Sequence, residues 1–307
     1  MDFPLLRQPH MSGRSSYVRT VPEAVSALKR PQSEEFCDTY FDKTYGVLWA
    51  SLKPTSPARF TPPMVTALRQ LQIRLESRIR RHLAARQRAR VHYLVFSSRI
   101  PRVFSLGGDL EFFRRMITTQ DRDALSAYAQ DCIALVYKNA VNYQLPVTTI
   151  SLVQGAALGG GFEAALAANV VVAERQSEMG FPESLVNLFP GMGAYQLLAR
   201  RLTPVEAERL ILSGRVYKAE ELYEMGVIDV LADQERGEDA VWNYVKRHSR
   251  QAHAWHGLRR AIEVTSPIRH EDLTKAVAVW VDTALGLGER DLKRMERLIR
   301  AQAQMSL

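Results

Sequence analysis

The sequence predicts a mixed α/β fold, on three observations. Two β-rich runs, Val147 to Val153 and Asn169 to Ala173, flank a triple glycine, Gly159-Gly160-Gly161, that opens a short helix from Phe162 to Ala168. Further strand-like runs precede this block, at Phe36 to Leu52 and Val91 to Ser97. From Gly237 onward the chain carries only amphipathic helical periodicity.

Residues 1 to 34 hold Pro4, Pro9, Pro22 and Pro31 among serines and basic residues with no sustained period, and read as an N-terminal extension, mobile or strapped onto the surface. A core follows over residues 35 to 236 and a helical region over 237 to 307. Phe36 to Leu52 alternates and breaks at Gly46, the pattern of a hairpin. The Pro-rich loop Pro54 to Pro63 leads into a helix from Pro63 to about Arg90. That helix carries Arg69, Arg74, Arg78, Arg80, Arg81, Arg86, Arg88 and Arg90. One reading of them is a solvated face; the other is an acidic partner, either an acyl carrier protein or the phosphates of coenzyme A. Nucleic acid fits less well, because aromatic side chains do not interleave with the arginines.

Glu111 to about Tyr143 is predicted helical, with Leu125, Tyr128, Cys132, Leu135, Val136 and Tyr143 inward. Thr203 and Glu206 have capping-box spacing at the next helix start. The last helices are predicted over Glu238 to Arg250, Ala252 to Val264, Glu271 to Leu285 and Glu289 to Gln302. Trp280 on the third of these reads as a core residue.

The chemistry is concentrated at the triple glycine. Backbone without Cβ lets a ligand approach closely, and first-turn amides lack intrahelical acceptors and lie at the positive end of the helix dipole, so they suit an oxyanion. Glu163 stands at the same helix end, placed to move a proton near whatever those amides hold. Gly159-x-Gly161-x-x-Ala164 also satisfies a loose dinucleotide fingerprint, with Glu183 downstream. Against that reading, the helix is too short for a βαβ crossover and Glu163 would face a pyrophosphate. Glu183 follows Met179-Gly180-Phe181-Pro182, which reads as a loop and not as the end of a strand.

With these residues in place, GAALGGGFEAAL followed by MGFPESLVNLFPGMGAY resembles the crotonase (enoyl-CoA hydratase/isomerase) superfamily. It is most similar to the bacterial synthases of diffusible signal factors, which are cis-2-unsaturated fatty acids. The likeness runs over roughly residues 36 to 303. It implies a ClpP-like spiral of β-β-α units with a C-terminal helical trimerisation region, hence a homotrimer. Val103 to Leu110 resembles the family's F-x-x-G-A-D-L element, which makes the amides of Gly108 and Gly160 the two donors of an oxyanion hole. The same resemblance makes Glu163 and Glu183 the catalytic pair and places Leu158, Gly159, Met192 and Trp280 against the substrate. Ala58-Arg59-Phe60 stands where the family has Asn-Ala-Leu in its nucleotide-binding segment, which points to acyl carrier protein ahead of coenzyme A.

The implied activity is dehydration of a 3-hydroxyacyl thioester on acyl carrier protein, then hydrolysis to the free acid. The alternatives are an ordinary enoyl-CoA hydratase or isomerase and a binding protein of this fold that has lost its chemistry. Signal-factor synthases also bind a regulatory sensor or receptor protein. No cofactor or metal is expected. Cys37 and Cys132 are far apart with no Cys-x-x-Cys, and His253 and His256 share helical spacing without a supporting carboxylate. The net charge is +8. No apolar run reaches the roughly 20 residues that span a bilayer, and no signal-peptide core is evident, so a cytoplasmic protein with no membrane partner is expected.

Overall fold

Parallel strands with both faces covered are buried at every position, and Thr148–Val153 fits that, with all six residues buried, the small hydroxyl side chains of Thr148, Thr149 and Ser151 among the apolar Ile150, Leu152 and Val153. The computed structural model of the chain describes residues 32–84 and 91–305. The expected N-terminal extension and the end of the basic helix therefore lie outside the described residues, apart from the short pairing at 32–33. The strands are β1 (Gln32–Ser33), β2 (Cys37–Asp42), β3 (Val47–Leu52), β4 (Tyr93–Ser98), β5 (Val103–Ser105), β6 (Thr148–Val153), β7 (Ala156–Leu158), β8 (Val170–Glu174), β9 (Glu178–Gly180), β10 (Val216–Lys218) and β11 (Val230–Ala232). The helices are α1 (Pro62–Ala84), α2 (Leu110–Thr118), α3 (Arg122–Ala140), α4 (Gly160–Leu166), α5 (Ala194–Leu198), α6 (Pro204–Leu212), α7 (Ala219–Glu224), α8 (Gly237–His248), α9 (Ala252–Thr265), α10 (His270–Leu285) and α11 (Glu289–Met305).

Two sheets form, a seven-stranded one in the order β1-β2-β3-β4-β6-β8-β11 and a four-stranded one in the order β10-β9-β7-β5. β1, β2 and β3 pair antiparallel, and β3, β4, β6, β8 and β11 run parallel. The pairs β4/β5, β6/β7 and β8/β9 each place one strand in the large sheet and the next in the small one; the first two return through helix, and the third adds β10 to the small sheet before α7 leads back to β11. This is the predicted spiral of β-β-α units. The hairpin around Gly46 and the capping box at Thr203 are present as expected.

Three sequence expectations are corrected. The helix read from Glu111 to Tyr143 is two helices, because Asp109 and Asp121 each cap a helix start, accepting from the amides of Phe112 and Ala124. It then ends in a 3₁₀ turn, Asn142–Gln144, whose residues all have positive φ. Met179-Gly180, read as loop, belongs to β9, held between β7 and β10. Three-residue strands are too short to show a period, which is why β5, β7, β9, β10 and β11 were not legible.

The sheet and the helical region are joined at Glu174, buried at the end of β8. It accepts hydrogen bonds from Gln154, from Gln176 and, at 3.0 Å, from the amide of Gly237 that opens α8. α10 then buries Leu273, Val277, Trp280, Val281 and Ala284, one helical stripe, against the core. α11 is tied to α2 by Arg114 and Glu296 at 3.1 Å. No helix of the described residues is long and apolar enough to cross a membrane.

Candidate active site

α4 starts directly behind β5. A methyl group on Gly107, whose φ is +88°, would come 2.5 Å from the Leu158 carbonyl oxygen and 2.9 Å from the Gly160 nitrogen. Only glycine permits that approach, and it brings the backbone of Gly107-Gly108 alongside the first turn of α4. Phe60 pairs with Gly108 in an isolated parallel bridge, made by its N–H to the Gly107 carbonyl at 2.8 Å, a bond that does not use the Gly108 N–H. Gly160 is the first residue of α4, so its N–H has no intrahelical acceptor. Both glycines line one cavity together with Glu163 and Glu183. Two backbone donors side by side at a helix N-terminus can hold an oxygen that carries negative charge.

Glu163 is 1 % exposed. Its Oε1 accepts from the amides of Met192 at 2.7 Å and Ala194 at 2.9 Å. The Pro190-Gly191-Met192-Gly193 loop supplies these donors by turning through Gly193, φ +100°. Gly191 lies flat under Trp280, since a methyl group there would meet the indole at 2.7 Å. Glu183 enters from the 3₁₀ turn Pro182–Val186, and its Oε1 would lie 2.1 Å from a Cβ on Gly159. The middle of the triple glycine thus serves an amide, and its first member makes room for the second carboxylate. Although Glu183 is only half-buried as a residue, its Oε2 is sealed from solvent and has no hydrogen-bond partner.

Burial pushes the Glu163 carboxyl up to about 8; the charge of Glu183 adds to this, and the two amides on Oε1 oppose it. Burial likewise pushes Glu183 up to about 7. Two acidic groups this close to neutrality can share one proton, one acting as acid and the other as base. Cys132 also lines the cavity, but burial pushes its thiol up to about 12, so it stays neutral and is no nucleophile.

Met192 and Trp280 line the cavity, as does Gly159, whereas the Leu158 side chain packs on the cluster of Ala58, Ile100, Val103, Leu106 and Ala156 instead. Trp280, 4 % exposed, is at once a core residue and a cavity wall, edge-on to Phe113 with ring centroids 5.2 Å apart. Three contributors were not assigned to the site from sequence. Leu298 and Gln302 reach the cavity from α11, with Gln302 Nε2 donating to the Leu106 carbonyl at 2.8 Å. Tyr128, read only as an inward residue, lines the cavity and donates to the Phe60 carbonyl at 2.5 Å. It therefore braces the residue that pairs with Gly108. Its signal in sequence was indistinguishable from that of a core aromatic. Among the described residues no group of three or more His, Cys, Asp or Glu is placed to hold a metal ion.

The family model for enoyl-CoA hydratase/isomerase matches residues 80–262, more than half of the 307. The chain belongs to the enoyl-CoA hydratase/isomerase family. It is 33 % identical over 153 residues to the mitochondrial methylglutaconyl-CoA hydratase of Rattus norvegicus, covering 50 % of this chain and 46 % of that one. The Homo sapiens enzyme matches at the same identity, with 43 % of its length covered. The chain thus spans about half the length of the curated relatives that it matches. Among solved structures, the enoyl-CoA hydratase of Bacillus halodurans superposes with a TM-score of 0.66 at 21 % identity, over 86 % of this chain and 100 % of that one. Pseudomonas aeruginosa DspI superposes with a TM-score of 0.61 at 22 % identity, over 82 % and 89 %. At these identities the structural likeness concerns the fold.

The two carboxyls make a stability prediction. Both titrate above the ordinary value of 4.5 in the folded chain. The folded state therefore holds the protons more tightly than the unfolded state, and the stability tied to them is fully present below about pH 4.5 and lost as pH rises through about 7 to 8. Glu183→Gln, which removes an unpartnered buried charge, should leave stability nearly unchanged near pH 5 and raise it by about 1 to 3 kcal/mol at pH 9. Denaturant unfolding at the two pH values reads the difference, and an equal effect at both would show that the carboxyl is solvated.

Proposed function

We propose that this chain dehydrates a 3-hydroxyacyl thioester and then hydrolyses the thioester, releasing a cis-2-unsaturated fatty acid that serves as a quorum-sensing signal. The observation that carries the reading is the placement of two buried carboxyls with raised pKa beside the Gly108 and Gly160 amides in one apolar-walled cavity. The motif forms FEAAL and NLFPGMGAY support the signal-synthase reading over its relatives.

In the proposed first step the thioester oxygen rests on the Gly108 and Gly160 amides, which stabilise charge as it develops; such a donor is worth about 3 to 4 kcal/mol in other enzymes. The ionised member of the Glu163/Glu183 pair takes a C2 proton. The protonated member delivers its proton to the departing C3 hydroxyl, which leaves as water. In the second step a carboxylate removes a proton from water as its oxygen attacks the carbonyl carbon; the same two amides hold the tetrahedral oxyanion, and the thiol of the carrier leaves protonated. Because the Cys132 thiol stays neutral, water is the nucleophile in this scheme.

Gly159, Met192 and Trp280 bound the substrate, and Leu298 closes the far wall. Acyl carrier protein is the proposed carrier, a homotrimer the proposed assembly, with a regulatory sensor or receptor protein as a further partner. The second reading is an ordinary enoyl-CoA hydratase, which the identity with the methylglutaconyl-CoA hydratases over half the chain favours. The two differ in product.

Incubation with 3-hydroxydodecanoyl carrier protein should give free unsaturated acid by mass spectrometry, and Glu163→Gln should lower the rate by about 10² to 10⁴. Product that stays on the carrier would remove the hydrolase, and fast turnover of crotonyl-CoA without acid release would favour the hydratase. The rate should follow a bell in pH, falling below about 7 as the pair becomes doubly protonated and above about 8 as its shared proton is lost. Tyr128→Phe keeps the ring but frees the Phe60 carbonyl, and so loosens the bridge that steadies Gly108. It should lower kcat on the order of tenfold, the effect of about 1.4 kcal/mol, with KM little changed. A change confined to KM would make Tyr128 a contact residue only.

A further inference from the structure

At the opposite end of α4 from the catalytic carboxyls lies a second cavity, of about 570 Å³, between the C-terminus of α4, α5 and α9. Its volume falls within the roughly 300 to 1,000 Å³ of small-molecule sites. Three guanidinium groups line it, those of Arg200, Arg201 and Arg259, against one carboxylate, that of Asp229. Asp229 is already engaged, because its Oδ2 accepts from the Val171 amide at 2.7 Å and from Arg201 at 2.8 Å. Arg200 is held from the side by Glu263 at 2.8 Å. Among the described residues no carboxylate forms an ion pair with Arg259. It lies over the Trp255 ring, 4.8 Å from the centroid, and makes one long hydrogen bond to the Asn169 carbonyl at 3.4 Å.

Arg201 donates to that same carbonyl at 3.4 Å. Two like charges converging on one oxygen repel each other, and in a half-buried cavity the repulsion is weakly screened. Burial, then the charges of Arg201 and Arg200, hold the Arg259 pKa below its ordinary value. A pair of anionic oxygens between these groups would relieve this repulsion, and guanidinium forks match carboxylate and phosphate oxygens two at a time. The rest of the lining is of another kind. Buried Leu166, Leu197 and Ile268 and half-buried Ile262 supply an apolar wall.

We propose that this cavity binds a small organic anion, its carboxylate or phosphate head on Arg200, Arg201 and Arg259 and its apolar body on Leu166, Leu197, Ile262 and Ile268. The site is independent of the proposed catalytic activity. It nevertheless touches the same helix: Arg201 donates to the carbonyls of Ala168 and Asn169, which follow α4, while Gly160 and Glu163 occupy its first turn.

Calorimetric titration of the full chain with octanoate and octyl phosphate tests the proposal, with octanol and inorganic phosphate as single-property controls. Saturable binding of at least one amphiphilic anion is expected, at least tenfold tighter than either control, and the better of the two identifies the head group. Arg259→Gln should weaken that binding at least tenfold, whereas Glu163→Gln should leave it unchanged. Arg259→Lys keeps the charge without the fork and should lie between, which serves if the glutamine variant does not fold. Octanol or phosphate binding as tightly as the amphiphiles overturns the proposal. Binding that survives Arg259→Gln, or that disappears in Glu163→Gln and so belongs to the catalytic cavity, overturns it equally.

Discussion

The structure depends on a carboxylate kept where water cannot solvate it. Glu163 is buried at the first turn of α4, and what makes that tolerable is the pair of amide donors from Met192 and Ala194 on one of its oxygens. A buried carboxylate without partners would cost several kcal/mol or stay protonated. The loop that offers the amides is consequently fixed by Glu163 as much as Glu163 is fixed by the loop. The same loop places Gly191 against Trp280, so α10 is positioned by contact with the segment that binds the carboxylate. Core packing and site geometry are therefore one constraint, and a change in α10 is felt at Oε1 of Glu163.

Glu183 shows the opposite balance. Its Oε2 is buried and unpartnered, and burial pushes its carboxyl up, opposed only by its own backbone amide. Unsatisfied buried polar atoms are rare in folded chains, and their concentration at functional sites follows from the need to hold a reactive group in a state that solvent would not allow. Gly159 makes this tolerable sterically, since any side chain there would collide with the carboxylate. The first glycine of the triple thus belongs to the second carboxyl, while the second turns a free helix-start amide to the cavity. That division of labour follows from the close approaches of the backbone, and the bare spacing of three glycines does not reveal it.

Much of this was legible because it is local. The strand, triple glycine, short helix and strand from Val147 to Ala173 follow from β-branching, glycine and length alone, and the structure reproduces them within a residue or two. The site pair was legible only through the family motifs, since no sequence spacing states that Glu183 will fold over Gly159. What escaped reading has identifiable causes. Met179-Gly180 looked like a turn because the tertiary pairing with β7 and β10, not propensity, makes it a strand. The helix from Glu111 was read through Asp121 because its apolar period continues on both sides, whereas the structure breaks it with a cap. Tyr128 looked like core because its hydrogen bond is to the Phe60 backbone carbonyl, which carries no sequence signal.

The far wall of the cavity completes the physical picture. Leu298 and Gln302 come from the last helix, yet Gln302 binds the Leu106 carbonyl, one residue before Gly107. The segment that presents Gly108 is thereby held from two directions: by Phe60 through the bridge, itself braced by Tyr128, and by α11 through Gln302. A donor that must meet a developing charge gains most when it need not reorganise to do so. These anchors on one short segment supply that rigidity. They also make the C-terminal helices part of the site, since Trp280 and Leu298 wall the cavity while Gln302 steadies the segment after β5 that carries the Gly108 amide.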